Sequence, residues 1–185
     1  MGIDAPQEVD TVPFGCYPKV VFEKYGLYDI RLKRNQDIEL NKRIKRQGGK
    51  IFLVPEVECT YYARDTFLSL WKNNYGNGKW VIITVWLTKT LDSLSVRHFV
   101  PLAFFVYILL CVFIVGKILL LGFDLLSGLF LLPLCFYFLI ILFFSFTASL
   151  KEKELRLLPY FVGSFFTLHL SYGVGSFVGL FSLRK

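Results

Sequence analysis

The segment Arg34-Asn35-Gln36-Asp37-Ile38-Glu39-Leu40-Asn41-Lys42-Arg43 carries residue types suited to proton transfer. A carboxylate projected into a cleft from the first turn of a helix can take the proton of a substrate hydroxyl. Asp37 holds that place if Asn35 caps a helix running from Gln36 to Gln47. A routine helix start reads the same way, because the helix dipole stabilises acids there. Asp37 and Glu39 stand two apart, and helical residues at that spacing do not face each other, which argues against one shared metal ion. Glu56 and Glu58 would share a face of an extended segment, although acids flanking a strand are ordinarily just solvated. His169 lies inside an apolar run, where a polar ring should face protein, a cavity or headgroups. It could serve chemistry or simply join two helices. His98 is expected at the membrane interface.

The elements that must position these groups follow from local patterning. Val9 to Phe14 reads as a short strand closed by Gly15. Pro18 to Tyr25 has helical spacing and stops at Gly26. The helix from Gln36 ends at Gly48-Gly49. Ile38, Leu40, Ile44 and Gln47 lie on or near one of its sides, and Lys42, Arg43, Lys45 and Arg46 make a basic face. Lys50 to Val54 and Val57 to Tyr61 read as strands separated by Pro55.

Asp65-Thr66 can cap a long helix from Phe67 to about Lys89. Its aromatics Phe67, Trp71, Tyr75, Trp80 and Trp86 alternate with Lys72, Lys79 and Lys89. Indole and phenol rings favour the headgroup zone and lysines reach toward water, so region 65–98 is expected to lie in the membrane interface. A buried core helix is the alternative, with Gly76 and Gly78 expected to weaken any long regular helix.

Beyond residue 98 the chain changes character. Residues 1–98 hold fifteen Lys and Arg and eleven acids, whereas 99–185 hold six and three, so long stretches have no charge at all. About twenty apolar residues cross a hydrocarbon core of roughly 30 Å. Spans are expected at about 99–122 and 125–149, with Lys117 reaching outward from the first. The run 157–183 is interrupted by Pro159, Gly163, Gly173, Gly175 and Gly179, and either crosses or re-enters. Three basic residues in the 151–156 loop put that loop and residues 1–98 on the cytosolic side, and the terminal Arg184-Lys185 fits that arrangement better if the last run re-enters. A basic surface beside a bilayer points to anionic headgroups rather than nucleic acid. Cys16, Cys59, Cys111 and Cys135 form no C-x-x-C pair and no zinc spacing, so free thiols are expected.

Three further stretches carry a likeness to a known group. Val9 to Gly15, Val21 to Asp29 and Asn35 to Arg43, in that order, resemble the second half of family 2 glycosyltransferases, closest to bacterial enzymes of succinoglycan and other exopolysaccharide biosynthesis. Tyr61-Tyr62-Ala63-Arg64 and Tyr75-Gly76-Asn77-Gly78-Lys79 are similar to the stretch after the catalytic helix of that group. Ser95 to Pro101 and His169 to Gly175 are similar to its membrane section.

The resemblance implies an α/β fold, a partial Rossmann-like GT-A domain over 1–64, followed by the interface helix at 65–98 and a helical membrane domain at 99–185. It implies Asp37 as general base, with Gly15, Gln36, Arg64, Tyr75, Lys79 and Trp80 around donor and acceptor. The reaction would be inverting transfer from a nucleotide-sugar to an acceptor expected to be a lipid-linked saccharide, at the inner (plasma) membrane. The complete enzyme would hold a divalent metal, Mg or Mn, on a D-x-D motif. That motif and its nucleotide-binding half do not occur in this sequence, so transfer is expected to need a separate N-terminal half as partner. The competing expectation is a non-catalytic membrane anchor or interaction subunit, in which Trp71, Trp80 and Trp86 matter and Asp37 does not.

Overall fold

The computed structural model describes residues 4–12, 14–90 and 98–182. Pro13, Ser95 to Arg97 and Arg184-Lys185, used in the reading above, lie outside them. Helices make up 69% of the described residues, so helix packing rather than a sheet organises the chain.

The N-terminal part is built on strand β1 (Gln7–Glu8), helix α1 (Lys19–Tyr25), helix α2 (Gln36–Arg46) and strand β2 (Phe52–Leu53). The strands pair antiparallel, Gln7 opposite Leu53 and Glu8 opposite Phe52, and the Val9 amide adds one more rung to the Ile51 carbonyl at 2.9 Å. This is far less sheet than the sequence suggests. The strand expected at Val9–Phe14 falls earlier, that at Lys50–Val54 shrinks to two residues, and Val57–Tyr61 is irregular with exposed side chains. Strand-type residues form ladders only beside a partner edge, and a lone two-stranded ribbon is marginal.

α1 stops at Gly26, as its sequence suggests. α2 ends in a paired-bond cap, Gly48 N–H to Lys45 O at 3.0 Å and Gly49 N–H to Ile44 O at 3.0 Å. Gly48 sits at φ +78°, a conformation that glycine adopts without the steric cost a side chain adds. Leu40 and Ile44 of α2 bury with Ile51, and Val9, Val12, Tyr17, Val21, Phe22 and Tyr25 pack around them. Asn41, also on the inner face, is fully buried. Its Oδ1 accepts from the Tyr17 hydroxyl at 2.6 Å and its Nδ2 donates to Thr11 Oγ1 at 2.8 Å. Three residues of the expected basic face are engaged. Lys45 pairs with Asp10 at 2.7 Å, and Arg46 donates to Thr90 at 2.8 Å. Arg43 holds Glu39 and the carbonyls of Tyr25 and Leu27.

α3 (Phe67–Thr88) begins at Thr66 in the expected way, with a reciprocal cap between Thr66 and Ser69. It runs unbroken through Gly76 and Gly78, contrary to the weakening expected of them. The reason is tertiary. Three apolar helices follow, α4 (Val100–Leu121), α5 (Leu125–Lys151) and, after a short 3-10 turn (Leu155–Leu157), α6 (Leu158–Phe181). Gly78 of α3 lies against Tyr172 and Ser176 of α6, and Gly175 of α6 against Tyr75 and Lys79 of α3. Backbone meets backbone there, as small residues allow in membrane helix pairs. Ser176 Oγ donates to Gly78 O at 3.1 Å across the same contact. Contacts climb together along both helices, from Phe67 with Gly163 to Ile82 with Gly179, so α3 and α6 run parallel.

α6 is likewise continuous. Pro159 sits in its first turn, where no intrahelical amide is needed, and its glycines face neighbouring helices instead of breaking it. α4, α5 and the segment Leu155–Phe181 are each long and apolar enough to cross a membrane, and the chain is a membrane-associated protein. α4 and α5 meet at a tight turn where Lys117 pairs with Asp124, which also caps α5 through Ser127 N–H at 2.9 Å. This gives Lys117 a partner at the end of its helix.

Candidate functional site

The start of α2 is docked onto α3 by Arg34 and Asn35. Arg34 Nη1 donates to Asn77 Oδ1 at 2.6 Å and to the carbonyl and side-chain oxygens of Asn73, each at 3.2 Å. Its guanidinium occupies the space a side chain at position 76 would fill, with Cζ 2.9 Å from where a Cβ of Gly76 would stand. Asn35 occupies the expected cap position but does not cap. It adopts a left-handed backbone, φ +63°, and its Nδ2 reaches Thr84 Oγ1 at 3.4 Å. Asparagine tolerates that conformation better than most residues. Gln36 turns back to donate to the Leu32 carbonyl.

Between these parts lies a cleft of about 440 Å³ lined by Tyr28, Arg34, Asn35, Gln36, Asp37, Ile38 and Asn77. Asp37 is exposed on its wall, and its carboxylate makes no hydrogen bond or ion pair with any described residue. Glu39, by contrast, is committed to Arg43 through bonds of 2.7 and 3.1 Å. The two acids of the motif therefore divide into one free group and one structural group. A free carboxylate facing a polar cleft can accept a proton from a bound hydroxyl.

Of the residues expected at the site, Gln36 and Asp37 share this cleft. Gly15 lines a second, apolar cavity of about 490 Å³ formed by Val12, Tyr17, Val21, Tyr25, Ile51 and neighbours. Arg64 is exposed on the segment before α3. Tyr75 and Lys79 turn their backbones to Gly175, and neither they nor Trp80 line either cavity. α3 contributes Asn77 instead. Asn73 and Asn77, one turn apart on a helix otherwise rich in rings and aliphatics, are a signal that sequence reasoning passed over.

Burial pushes the Tyr17 hydroxyl above its usual pKa, with smaller contributions from Tyr28 and from the Asp37 charge. Glu56 and Glu58 are exposed. Among the described residues no three His, Cys, Asp or Glu side chains gather as a ligand set, and the divalent ion that the resemblance implies is expected on a D-x-D motif outside this sequence. All four cysteines are free thiols, Cys111 buried and the others exposed. His169 Nδ1 lies 2.9 Å from the Tyr137 hydroxyl, beside Phe104, which is the helix-joining role. Comparison of the chain with protein-family models, with curated proteins and with solved structures gives no match.

Proposed function

We propose that the cleft at the start of α2 is the acceptor side of a membrane-bound inverting glycosyltransferase, with residues 4–64 part of a GT-A-type domain. The observation that carries this reading is the Asp37 carboxylate, unpartnered among the described residues, in a cleft also lined by Asn77 of α3, a helix packed along α6. In this reading Asp37 takes the proton of the acceptor hydroxyl as its oxygen attacks the sugar's anomeric carbon and the nucleoside diphosphate leaves. The donor and its metal are held by a nucleotide-binding half. The acceptor is a lipid-linked saccharide of exopolysaccharide synthesis, reached from the bilayer surface.

The test is transfer from radiolabelled nucleotide-sugars in membranes that contain the chain together with a D-x-D-bearing half. Asp37→Asn should lower transfer by on the order of 10²–10⁴-fold, the usual contribution of a positioned base. Unchanged transfer removes Asp37 from that role. The same reading places residues 1–98 in the cytosol at the inner membrane. The exposed Cys16 and Cys59 should then react with a membrane-impermeant maleimide in inverted vesicles and stay unlabelled in intact cells.

One observation favours the second reading, an interaction or anchor subunit. The N-terminal part exposes Phe14, Leu27, Ile30, Val57, Tyr61 and Tyr62 around a small core, as a surface that awaits a protein partner would. It predicts that Asp37→Asn is silent while changes at Trp71, Trp80 and Trp86 reduce membrane association.

A further inference from the structure

Among the described residues Arg34 is a cation without an anion. Nη1 is bound by three neutral oxygens from Asn73 and Asn77, while Nε and Nη2 make no hydrogen bond with any described residue. The group is half-buried, held flat in the notch at Gly76, and it lines the cleft. Neutral anchors fix the position of a guanidinium without cancelling its charge. A fixed fork of N–H donors suits a tetrahedral oxyanion with two oxygens to offer. The carboxylate facing the same cleft is Asp37, and Glu39 is occupied by Arg43. The other polar side chains of the lining, Asn35, Gln36, Asn77 and the Tyr28 hydroxyl, can each donate a hydrogen bond to an oxyanion.

From this we infer that Arg34 binds a phosphate group of the ligand that enters the cleft. This deepens the acceptor-site reading and rests on it. A lipid-linked saccharide carries its sugar on a phosphate, so Arg34 would hold the linkage while Asp37 meets a sugar hydroxyl. The anchors Asn73 and Asn77 belong to α3, which lies along the candidate span α6, and that favours a lipid-borne phosphate over a soluble one.

The test is isothermal titration of the full chain, in nanodiscs of neutral lipid, with farnesyl phosphate, farnesol and inorganic pyrophosphate. The expected result is binding of farnesyl phosphate, little binding of farnesol, and weakening on the order of tenfold or more in Arg34→Gln, as loss of a charge-assisted hydrogen bond gives. Pyrophosphate binding with the same dependence on Arg34, and no gain from the farnesyl chain, upholds the phosphate site but assigns its ligand to the soluble donor. Equal affinities of wild type and Arg34→Gln overturn the inference. So does farnesol binding as well as its phosphate, or binding of neither phosphate.

Arg34→Gln also loosens the contact with α3, so melting curves accompany each titration. Arg34→Lys keeps the charge with fewer donors and should retain part of the affinity. Asp37→Asn separates the two readings, because it should leave phosphate binding at least as tight while lowering transfer by on the order of 10²–10⁴-fold. Phosphate binding with transfer unaffected by Asp37→Asn sinks the base role alone. Transfer lost in Asp37→Asn with phosphate binding indifferent to Arg34 sinks only the present inference.

Discussion

Replacing Gly78 by alanine tests the packing that joins the cleft-bearing part to the membrane helices. A Cβ at this position would stand 2.9 Å from the carbonyl carbon of Tyr172, closer still to its oxygen, and 3.0 Å from the Ser176 nitrogen. All three are backbone atoms and cannot swing aside. The carbonyl oxygen is the limiting contact, and relieving it requires α3 and α6 to part by on the order of 1 Å. Overpacking of this kind costs roughly 1–3 kcal/mol. The Ser176 bond to Gly78 O lengthens as well, at about 0.6 kcal/mol for a typical bond between membrane helices. Alanine's better helix propensity offsets about 1 kcal/mol.

A net loss of roughly 0.5–2.5 kcal/mol is expected for Gly78→Ala, and the same sign for Gly175→Ala, which meets Tyr75 and Lys79 backbone at 2.8 and 3.0 Å. Gly116 in α4 is the internal control. No described residue beyond its own turn of helix lies within 4 Å of its Cβ position, so Gly116→Ala should stabilise by up to about 1 kcal/mol. Equilibrium unfolding in mixed micelles, followed by the fluorescence of Trp71, Trp80 and Trp86 on α3, measures both. If Gly78→Ala proves as stable as Gly116→Ala, the α3–α6 contact described above is wrong.

Other outcomes follow from the polar contacts. Asn41→Ala strands the Tyr17 hydroxyl and Thr11 and should cost roughly 1–3 kcal/mol in thermal or urea unfolding, whereas a change below about 0.5 kcal/mol would contradict that bonding. Asp124 is held at about 2, against an ordinary 3.8, chiefly by the Lys117 ammonium and next by the Ser127 amide. A carboxylate depressed in the folded chain stabilises it above the unfolded value and ceases to as pH falls through the folded one. The melting gap between wild type and Asp124→Asn should therefore stay constant above about pH 5 and close as pH falls from about 4 to 2, and a gap independent of pH refutes the pairing. Tyr137→Phe removes one inter-helix hydrogen bond and should cost about 0.6 kcal/mol, so a loss above about 2 kcal/mol would assign the pair with His169 a larger role than joining helices.

Much of this architecture is visible without coordinates, where the cause is local. The Thr66 cap, the stops at Gly26 and Gly48-Gly49, and the three long apolar helices each depend on residues within a turn or on simple length and polarity. The place of Asp37 in the first turn of α2 is legible in the same way, while its proposed role came from the resemblance. What needed the tertiary structure were the features created by a neighbour. The strand residues of Val9–Phe14 and Val57–Tyr61 had no way to announce that most would lack a partner edge. Gly76, Gly78 and Gly175 look like helix breakers in isolation, and become the close contacts of α3 with Arg34 and α6 only once those groups are brought alongside. Asn35 reads as a cap but is drawn to Thr84, far along the chain. The division between a free Asp37 and a committed Glu39 was likewise decided by where Arg43 and Arg34 found their partners, because a side chain's charge is set by its residue type and its availability by what the fold places beside it.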